Sequence, residues 1–207
     1  MYKFKKQLRL VILFWFAIFC WACASTNVRS QVDPQVRGRN YNCIMVFVNF
    51  QDLGLRQDTE RQIQSFLTTK NSQVIPSVDL FFPGRTYTTE ESNKILTDAS
   101  VDGILVISSA GTGTSVSWLP QTTTTRGSAT VTGNTVSGTA TTSTYGGYNI
   151  TKPWAEFDAT LIDLTTKSVV WIARMSSRGN AFADWKDLTW SMAQETSSQL
   201  KKDKIIK

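Results

Sequence analysis

The sequence contains no histidine. That absence removes the commonest general base, histidine-dependent triads and most zinc sites. Cysteine is scarce too, with Cys20, Cys23 and Cys43 only. No apolar run reaches the roughly 20 residues that a spanning helix needs; the longest, Leu10 to Ala22, stops at polar Ser25, Thr26 and Asn27. Basic clusters are missing as well. The Lys201-Lys202-Asp203-Lys204 group is the exception, and it fits the C-terminal end of a helix dipole. Ser108 and Ser109 follow a strand end, a common ligand position in α/β proteins. Yet Ser108-Ser109-Ala110-Gly111 is not a nucleophile elbow and no basic partner is evident. These absences argue against an enzyme and against a nucleic-acid partner. They leave no identified cofactor, metal or small-molecule substrate.

What is present begins with targeting. Lys3, Lys5, Lys6 and Arg9 precede the apolar run, and Ala22-Cys23-Ala24-Ser25 closes it with small residues. A basic head, a short apolar centre and a small-residue exit form the pattern of a secretory signal peptide. The segment resembles a bacterial lipoprotein signal, in which a cysteine directly after the cleavage site is lipidated. Two cysteines compete for that role. Cys20 follows bulky Phe19, whereas Cys23 follows small Ala22. Cys23 is therefore the expected lipidation site, although Cys20 and Trp21 depart from the small residue and leucine that the family prefers. The resemblance implies a diacylglycerol cysteine carrying fatty acyl chains such as palmitate. Each buried methylene contributes about 0.8 kcal/mol, so two or three chains hold firmly. Ala24, rather than aspartate, implies the outer membrane of a Gram-negative envelope, with the protein facing the periplasm. An uncleaved anchor or an ordinary signal peptide is the alternative.

The formal charge of +6 includes four cations and no acids in the first 22 residues, so the remainder carries +2. The basic character belongs to the targeting segment. Residues 1–22 thus read as signal, 23–40 as a lipidated N-terminus with a flexible polar tether, and 41–207 as one α/β domain with an insertion at 120–150. With Cys23 taken by lipid, Cys43 has no disulfide partner and reads as a small buried hydrophobe.

Cys43 to Phe50 is a continuous apolar run suited to a strand buried on both faces. Leu55 to Thr69 has a helical face of Ile63, Phe66 and Leu67, with Arg56 and Glu60 spaced as an ion pair. Val74-Ile75 is a short strand, and Leu80 to Gly84 is a loop closing over core. Thr88 and Glu91 form a capping box for a helix lined by Ile95, Leu96 and Ala99. Ile104 to Ile107 is the clearest buried strand. This order implies parallel strands joined by helical crossovers. Gly111 and Gly113 invite a phosphate-binding reading, but no helix opens after them and no Walker lysine follows, so a turn or bulge is the better account. Ser115 to Leu119 alternates like a strand.

Pro120 to Tyr148 is rich in Thr, Ser and Gly. A disordered loop is one reading. The other is a projecting hairpin turning at Gly133-Asn134, flanked by alternating Thr130-Val131-Thr132 and Thr135-Val136-Ser137. Its arms suit pairing with another copy or a neighbouring strand. Gly127, Gly133, Gly138 and the sparse apolar residues weigh against membrane entry. Trp154 to Leu164 and Val169 to Ala173 form an antiparallel pair, and Asp184 opens a last helix striped by Trp185, Leu188, Met192 and Leu200.

The predicted fold is an α/β sandwich with a mixed sheet of about five strands. Its first three strands are parallel and the later ones antiparallel; the projecting hairpin and a C-terminal helix complete it. The segments ATLIDLTTKSVVWIARM and LKKDKII resemble small bacterial outer-membrane lipoproteins, with Asp163, Lys167, Val170 and Trp171 matching a recurrent strand-turn-strand pattern. The resemblance implies the fold of the TolB N-terminal domain and of the periplasmic domain of the curli-secretion lipoprotein, with Asp163 and Trp171 structural. It implies a non-catalytic envelope binding or assembly module, anchored to the membrane through Cys23 and meeting an envelope protein. The alternative is a self-assembling or secretion-associated component using residues 120–150.

Overall fold

A computed structural model describes residues 24–206 except 37, 71, 133 and 134, with backbone alone at 129, 131, 132 and 135–137. Strands β1 (Ala24–Val32), β2 (Cys43–Asn49), β3 (Gln73–Pro76), β4 (Gly103–Leu119), β7 (Tyr148–Asp163) and β8 (Ser168–Gly179) form one mixed sheet in the order β1-β8-β7-β4-β2-β3. Strands β5 (Thr122–Thr132) and β6 (Thr135–Tyr145) form a separate two-stranded ribbon. Helix α1 spans Leu53–Leu67, a short α2 spans Ser77–Leu80, α3 spans Thr89–Asp98 and α4 spans Trp185–Lys202. No helix among the described residues is long and apolar enough to cross a membrane.

β2 pairs in parallel with both β3 and β4, as its position between two helical crossovers predicts. Its alternate residues enter different cores. Ile44, Val46 and Val48 pack with Ile63 and Leu67 of α1, whereas Cys43 and Met45 pack with Leu96 of α3. α1 and α3 therefore cover opposite faces of the parallel half. α4 adds Leu188, Met192 and Leu200 to the first core, against Phe157, Leu161, Trp171 and Met175. Trp185, read as part of that stripe, is instead 41% exposed at the first turn.

Local signals set the helix starts. Thr88 and Glu91 form the predicted capping box. Asp184 and Asp187 form a second one at α4, and Asp52 caps α1. Each supplies an acceptor to amides that lack an intrahelical partner. Lys201 and Lys202 fall in the last turn of α4, where cations complement the dipole.

Buried charges tie elements together. Glu60, fully buried in α1, accepts from the Val48 amide (3.0 Å), the Val78 amide (3.1 Å), the Ser77 hydroxyl (2.7 Å) and Arg56 Nε (3.1 Å). The Arg56 guanidinium lies over the Phe47 ring at 4.7 Å. The predicted helical ion pair is thus also a clasp between α1, β2 and α2. Asp163, at the end of β7, accepts from the Tyr41 hydroxyl (3.0 Å) and the Thr165 and Thr166 amides (2.7 and 3.0 Å), and pairs with Arg39. Trp171 is buried, and its indole donates to Asp203 at 2.8 Å. Both residues hold structure together, as the resemblance implied.

One expectation is corrected. Residues 24–32, read as the start of a flexible tether, form edge strand β1, antiparallel to β8 from Ala24↔Gly179 to Val32↔Trp171. The main sheet consequently has six strands rather than about five. β1 was hard to read because two of its inward residues are hydroxyl-bearing. The Thr26 hydroxyl meets Ser177 at 2.7 Å and donates to Ser191 at 2.9 Å, and Ser30 donates to Asp203 at 2.6 Å. A hydroxyl satisfied by partners distant in sequence leaves no apolar period to detect.

Of the turn or bulge expected at Gly111 and Gly113, the structure has the bulge. β4 continues through both for 17 residues, with a bulge between Ser109 and Gly111. The glycines make room for Trp154 on the neighbouring strand: a Cβ at Gly113 would sit 2.8 Å from the indole ring. Gly113→Val should therefore displace Trp154 and cost about 1–3 kcal/mol. Chemical denaturation of the single variant and of Gly113→Val with Trp154→Ala should show a coupling that relieves part of the loss.

Candidate functional site

The most distinctive feature is the arm. β4 and β7 stay paired from Gly103↔Asp163 out to Leu119↔Tyr148, whereas β8 accompanies β7 only as far as Trp154. From Thr114 and Pro153 outward the two strands leave the sheet as a ribbon. The Gly147 amide donates to the Leu119 carbonyl at 2.8 Å and closes its end. Gly146, with φ of +86°, lies against the Pro120 carbonyl where a Cβ would collide. β5 and β6 then continue from Thr122↔Tyr145 to Thr132↔Thr135. The projecting hairpin is therefore longer than residues 120–150, because its root is built from β4 and β7. The Gly133-Asn134 turn lies outside the described residues, but the Thr132↔Thr135 pairing fits a two-residue connection.

Hydroxyl groups bridge the arm. Thr123 meets Thr144 at 3.3 Å, Thr125 meets Thr142 at 3.1 Å, and Ser128 meets Thr139 at 3.3 Å. Such cross-strand pairs add roughly 0.2–1 kcal/mol each. An isolated two-stranded hairpin is marginal in water, and here both outer edges carry backbone groups that no other described strand pairs. Natural edges are commonly blunted by lysine, proline or other charges. Between Gln121 and Ile150 the only charged residue is Arg126.

At the root, apolar side chains face outward on both sides. Val116 and Trp118 are 65% and 61% exposed on the face that carries Thr112 and Thr114. Leu119, Tyr148 and half-buried Ile150 occupy the other face. Tyr145, at the start of the outer ribbon, is 68% exposed.

Beside the root, at the carboxyl ends of β2 and of the buried part of β4, lies a cleft of about 650 Å³. Asp52, Leu55 and Asp58 from the start of α1, Thr112 of β4, and Asp184, Trp185 and Lys186 from the start of α4 line it. This is where open α/β sheets often hold ligands. Its two helix starts are already capped by Asp52 and Asp184, which sets negative charge where a bound anion would go. Lys186 answers Asp58 at 3.4 Å. The rim favours a cationic or apolar group over phosphate.

The other residues singled out from sequence are placed as follows. Cys20 and Cys23 lie outside the described residues. Ser108 is half-buried in β4 opposite Asp158, Ser109 is exposed opposite Phe157, and neither lines the cleft. Cys43 is buried and its thiol donates to the Ala99 carbonyl at 3.6 Å; burial, then the nearby Asp102 carboxylate, pushes the thiol pKa up. That is the behaviour of a packed, unreactive thiol. Burial also acts to raise the Asp163 pKa, but the Thr166 amide, the Tyr41 hydroxyl, the Thr165 amide and Arg39 outweigh it and hold the carboxyl below its usual value. Among the described residues no group of three or more cysteine, aspartate or glutamate side chains is placed to hold a metal. The collar of exposed aromatic and aliphatic residues at the root was not read from sequence. The alternation of Ser115 to Leu119 signalled its strand but not its exposure.

The architecture defines a mixed α/β protein with a six-stranded sheet, a second two-stranded sheet and a C-terminal helix. No family model and no curated protein matches the chain. Among solved structures it is similar to the PelC dodecamer from Paraburkholderia phytofirmans, at 12% identity and a TM-score of 0.47, over 88% of this chain and 99% of that one. It is also similar to a PDZ domain protein from Parabacteroides distasonis, at 11% identity and a TM-score of 0.38, over 87% of this chain and 37% of that one.

Proposed function

We propose that this chain is a non-catalytic module of a bacterial cell envelope, held by lipid on Cys23 to the outer membrane and facing the periplasm, where it works by binding or assembly through its arm. The observation that carries the reading is the arm itself. It has two unpaired edges, a single charged residue between Gln121 and Ile150, and a root with apolar groups on both faces. Cross-linking in intact cells from positions between Thr122 and Tyr145 should recover a specific envelope protein or a second copy; recovery of neither from any position would sink the proposal. Fractionation with intact mass of the mature N-terminus tests the anchor, which requires acylated Cys23 in the outer-membrane fraction. Clean labelling of Ser108 or Ser109 by a broad serine-reactive probe would speak for a hydrolase instead.

The free edges favour self-assembly as a second reading. β5 and β6 run antiparallel, so the β6 edge of one arm can pair with the β5 edge of the next and extend the same pattern. That is a head-to-tail contact, which closes into a ring or propagates. The detergent-solubilised chain should then elute as a multimer, and deletion of residues 121–146 should reduce it to a smaller species with an unchanged thermal midpoint. Identical elution of the two chains would exclude arm-driven assembly.

A further inference from the structure

Strand pairing fixes where the N-terminus meets the arm. Ala24 pairs with Gly179, and the next row runs Ser25, Arg178, Trp154, Gly113 across β1, β8, β7 and β4. The ribbon leaves the sheet one residue beyond that row, at Thr114 and Pro153. β1 and β7 run in the same direction, since each is antiparallel to β8. The chain therefore enters the sheet from the end at which the arm departs. Cys23 is one peptide bond from Ala24, and because β1 starts there the first described residue is already held by β8. Ala24 thus stands at the end of the sheet from which the arm departs, two strands from β7.

We propose that this root is a membrane-docking collar, in which Val116, Trp118, Leu119, Tyr145 and Tyr148 rest in the headgroup layer of the lipid bilayer that the acyl chains on Cys23 enter. The proposal rests on the reading of Cys23 as lipidated. Three observations carry it. Distance is the first: Trp118 stands five residues beyond Gly113, about 17 Å along a strand, so the collar lies within reach of a surface that also receives acyl chains on Cys23. The second is the two-sided exposure. Val116 and Trp118 project from one face, Leu119 and Tyr148 from the other. A protein docked on one face of a ribbon leaves the other face wet, whereas a headgroup layer can meet both faces while water still reaches the open backbone edges. Tryptophan and tyrosine are the residues enriched at membrane–water interfaces, where an apolar ring and a polar tip are both satisfied.

The third observation is charge. From Thr114 to Lys152 there is no aspartate or glutamate, and the two charged residues are Arg126 and Lys152. Lys152 pairs with Ser115 at the foot of the collar. The stretch itself presents no carboxylate to an anionic lipid surface, those of Asp52, Asp58 and Asp184 lying in the cleft by Thr112 on the body side of the collar, and the cation at its foot can lie among headgroups.

The test uses the mature chain reconstituted into vesicles of phosphatidylcholine and phosphatidylglycerol, with and without brominated acyl chains. Brominated lipid should quench tryptophan emission, and Trp118→Phe should remove most of that loss. Trp118 is exposed, so the thermal midpoint should not move and a folding defect is excluded directly. Equal quenching in the two chains, or none in either, would overturn the collar. So would arms that associate with one another and shield Trp118 from acrylamide equally with and without vesicles. Intact mass separates the collar from the anchor. Acylated Cys23 with unquenched Trp118 removes the collar alone; unacylated Cys23 with quenched Trp118 removes the anchor alone.

Discussion

Asp163→Ala should destabilise the fold by about 3–5 kcal/mol, the range for removing one partner of a buried ionic network. The carboxylate is fully buried and four donors converge on it. Its loss leaves the buried Tyr41 hydroxyl without an acceptor, removes the partner of Arg39, and frees the two amides that shape the β7–β8 turn. Each abandoned buried donor costs about 1–3 kcal/mol. Equilibrium denaturation would measure the loss, and a change under about 1 kcal/mol would show that the site relaxes around water.

The same residue sets an acid dependence. Its folded pKa lies below the unfolded value of about 3.9, because the donors around it outweigh burial. Between those two values the unfolded chain binds more protons, so stability rises with pH there. The contribution is complete above the unfolded pKa and is lost as pH falls through the folded one. Asp163→Asn keeps the shape of the side chain but not the titration. Its denaturation midpoint should fall less steeply with acid than that of the natural chain, in a region below about pH 4. Parallel acid limbs would mean that other carboxylates dominate.

Glu60→Ala should have an effect of similar size, about 3–5 kcal/mol. Two backbone amides, one hydroxyl and the Arg56 guanidinium lose their acceptor together. The damage spreads across three elements because Val48 belongs to β2, Ser77 and Val78 to α2, and Glu60 to α1. Glu60→Gln retains the acceptor oxygen but loses the charge, so it should recover part of the loss. Thermal unfolding of the two variants against the natural chain separates hydrogen bonding from charge, and equal midpoints for the two variants would mean that the neutral oxygen recovers nothing and the charge carries the effect.

Much of the core was legible because its signals are local. Cys43 to Phe50 and Ile104 to Ile107 are apolar runs of strand length, and Phe157, Ala159 and Leu161 alternate. Thr88 with Glu91 announces a helix start within four residues. Ile63 and Leu67, and Leu188, Met192 and Leu200, recur at helical spacing. The Thr/Ser/Gly segment was read as a hairpin for a local reason also, since Gly-Asn between alternating arms suits a tight turn.

The misreadings share a cause. β1 carries Thr26, Val28, Ser30 and Val32 along its inner side, a pattern that is polar on its own. It becomes a strand because β8 supplies a hydrogen-bonding edge and Ser177, Ser191 and Asp203 satisfy its hydroxyls. Gly111 and Gly113 read as a turn or bulge, and the bulge is there; nothing nearby in sequence shows that Trp154 occupies their missing side chains. Trp185 kept the spacing of a core stripe but falls at the first turn of α4, beside the cleft.

By itself the sequence determined most of the elements from Cys43 onward, their order and the parallel-then-antiparallel plan, because capping, periodicity and β-branched runs act over a few residues. It also set the absence of histidine and the expectation that Cys23 is modified. Only the tertiary structure decided that residues 24–32 join the sheet, that β4 and β7 run on into the arm, and that the arm leaves from the end where Cys23 is attached. The first and the last rest on pairing between segments more than 100 residues apart, as in Ala24↔Gly179. Backbone hydrogen bonding is almost indifferent to side-chain identity, so the register that sets β1 at the arm's end of the sheet leaves little trace in either segment.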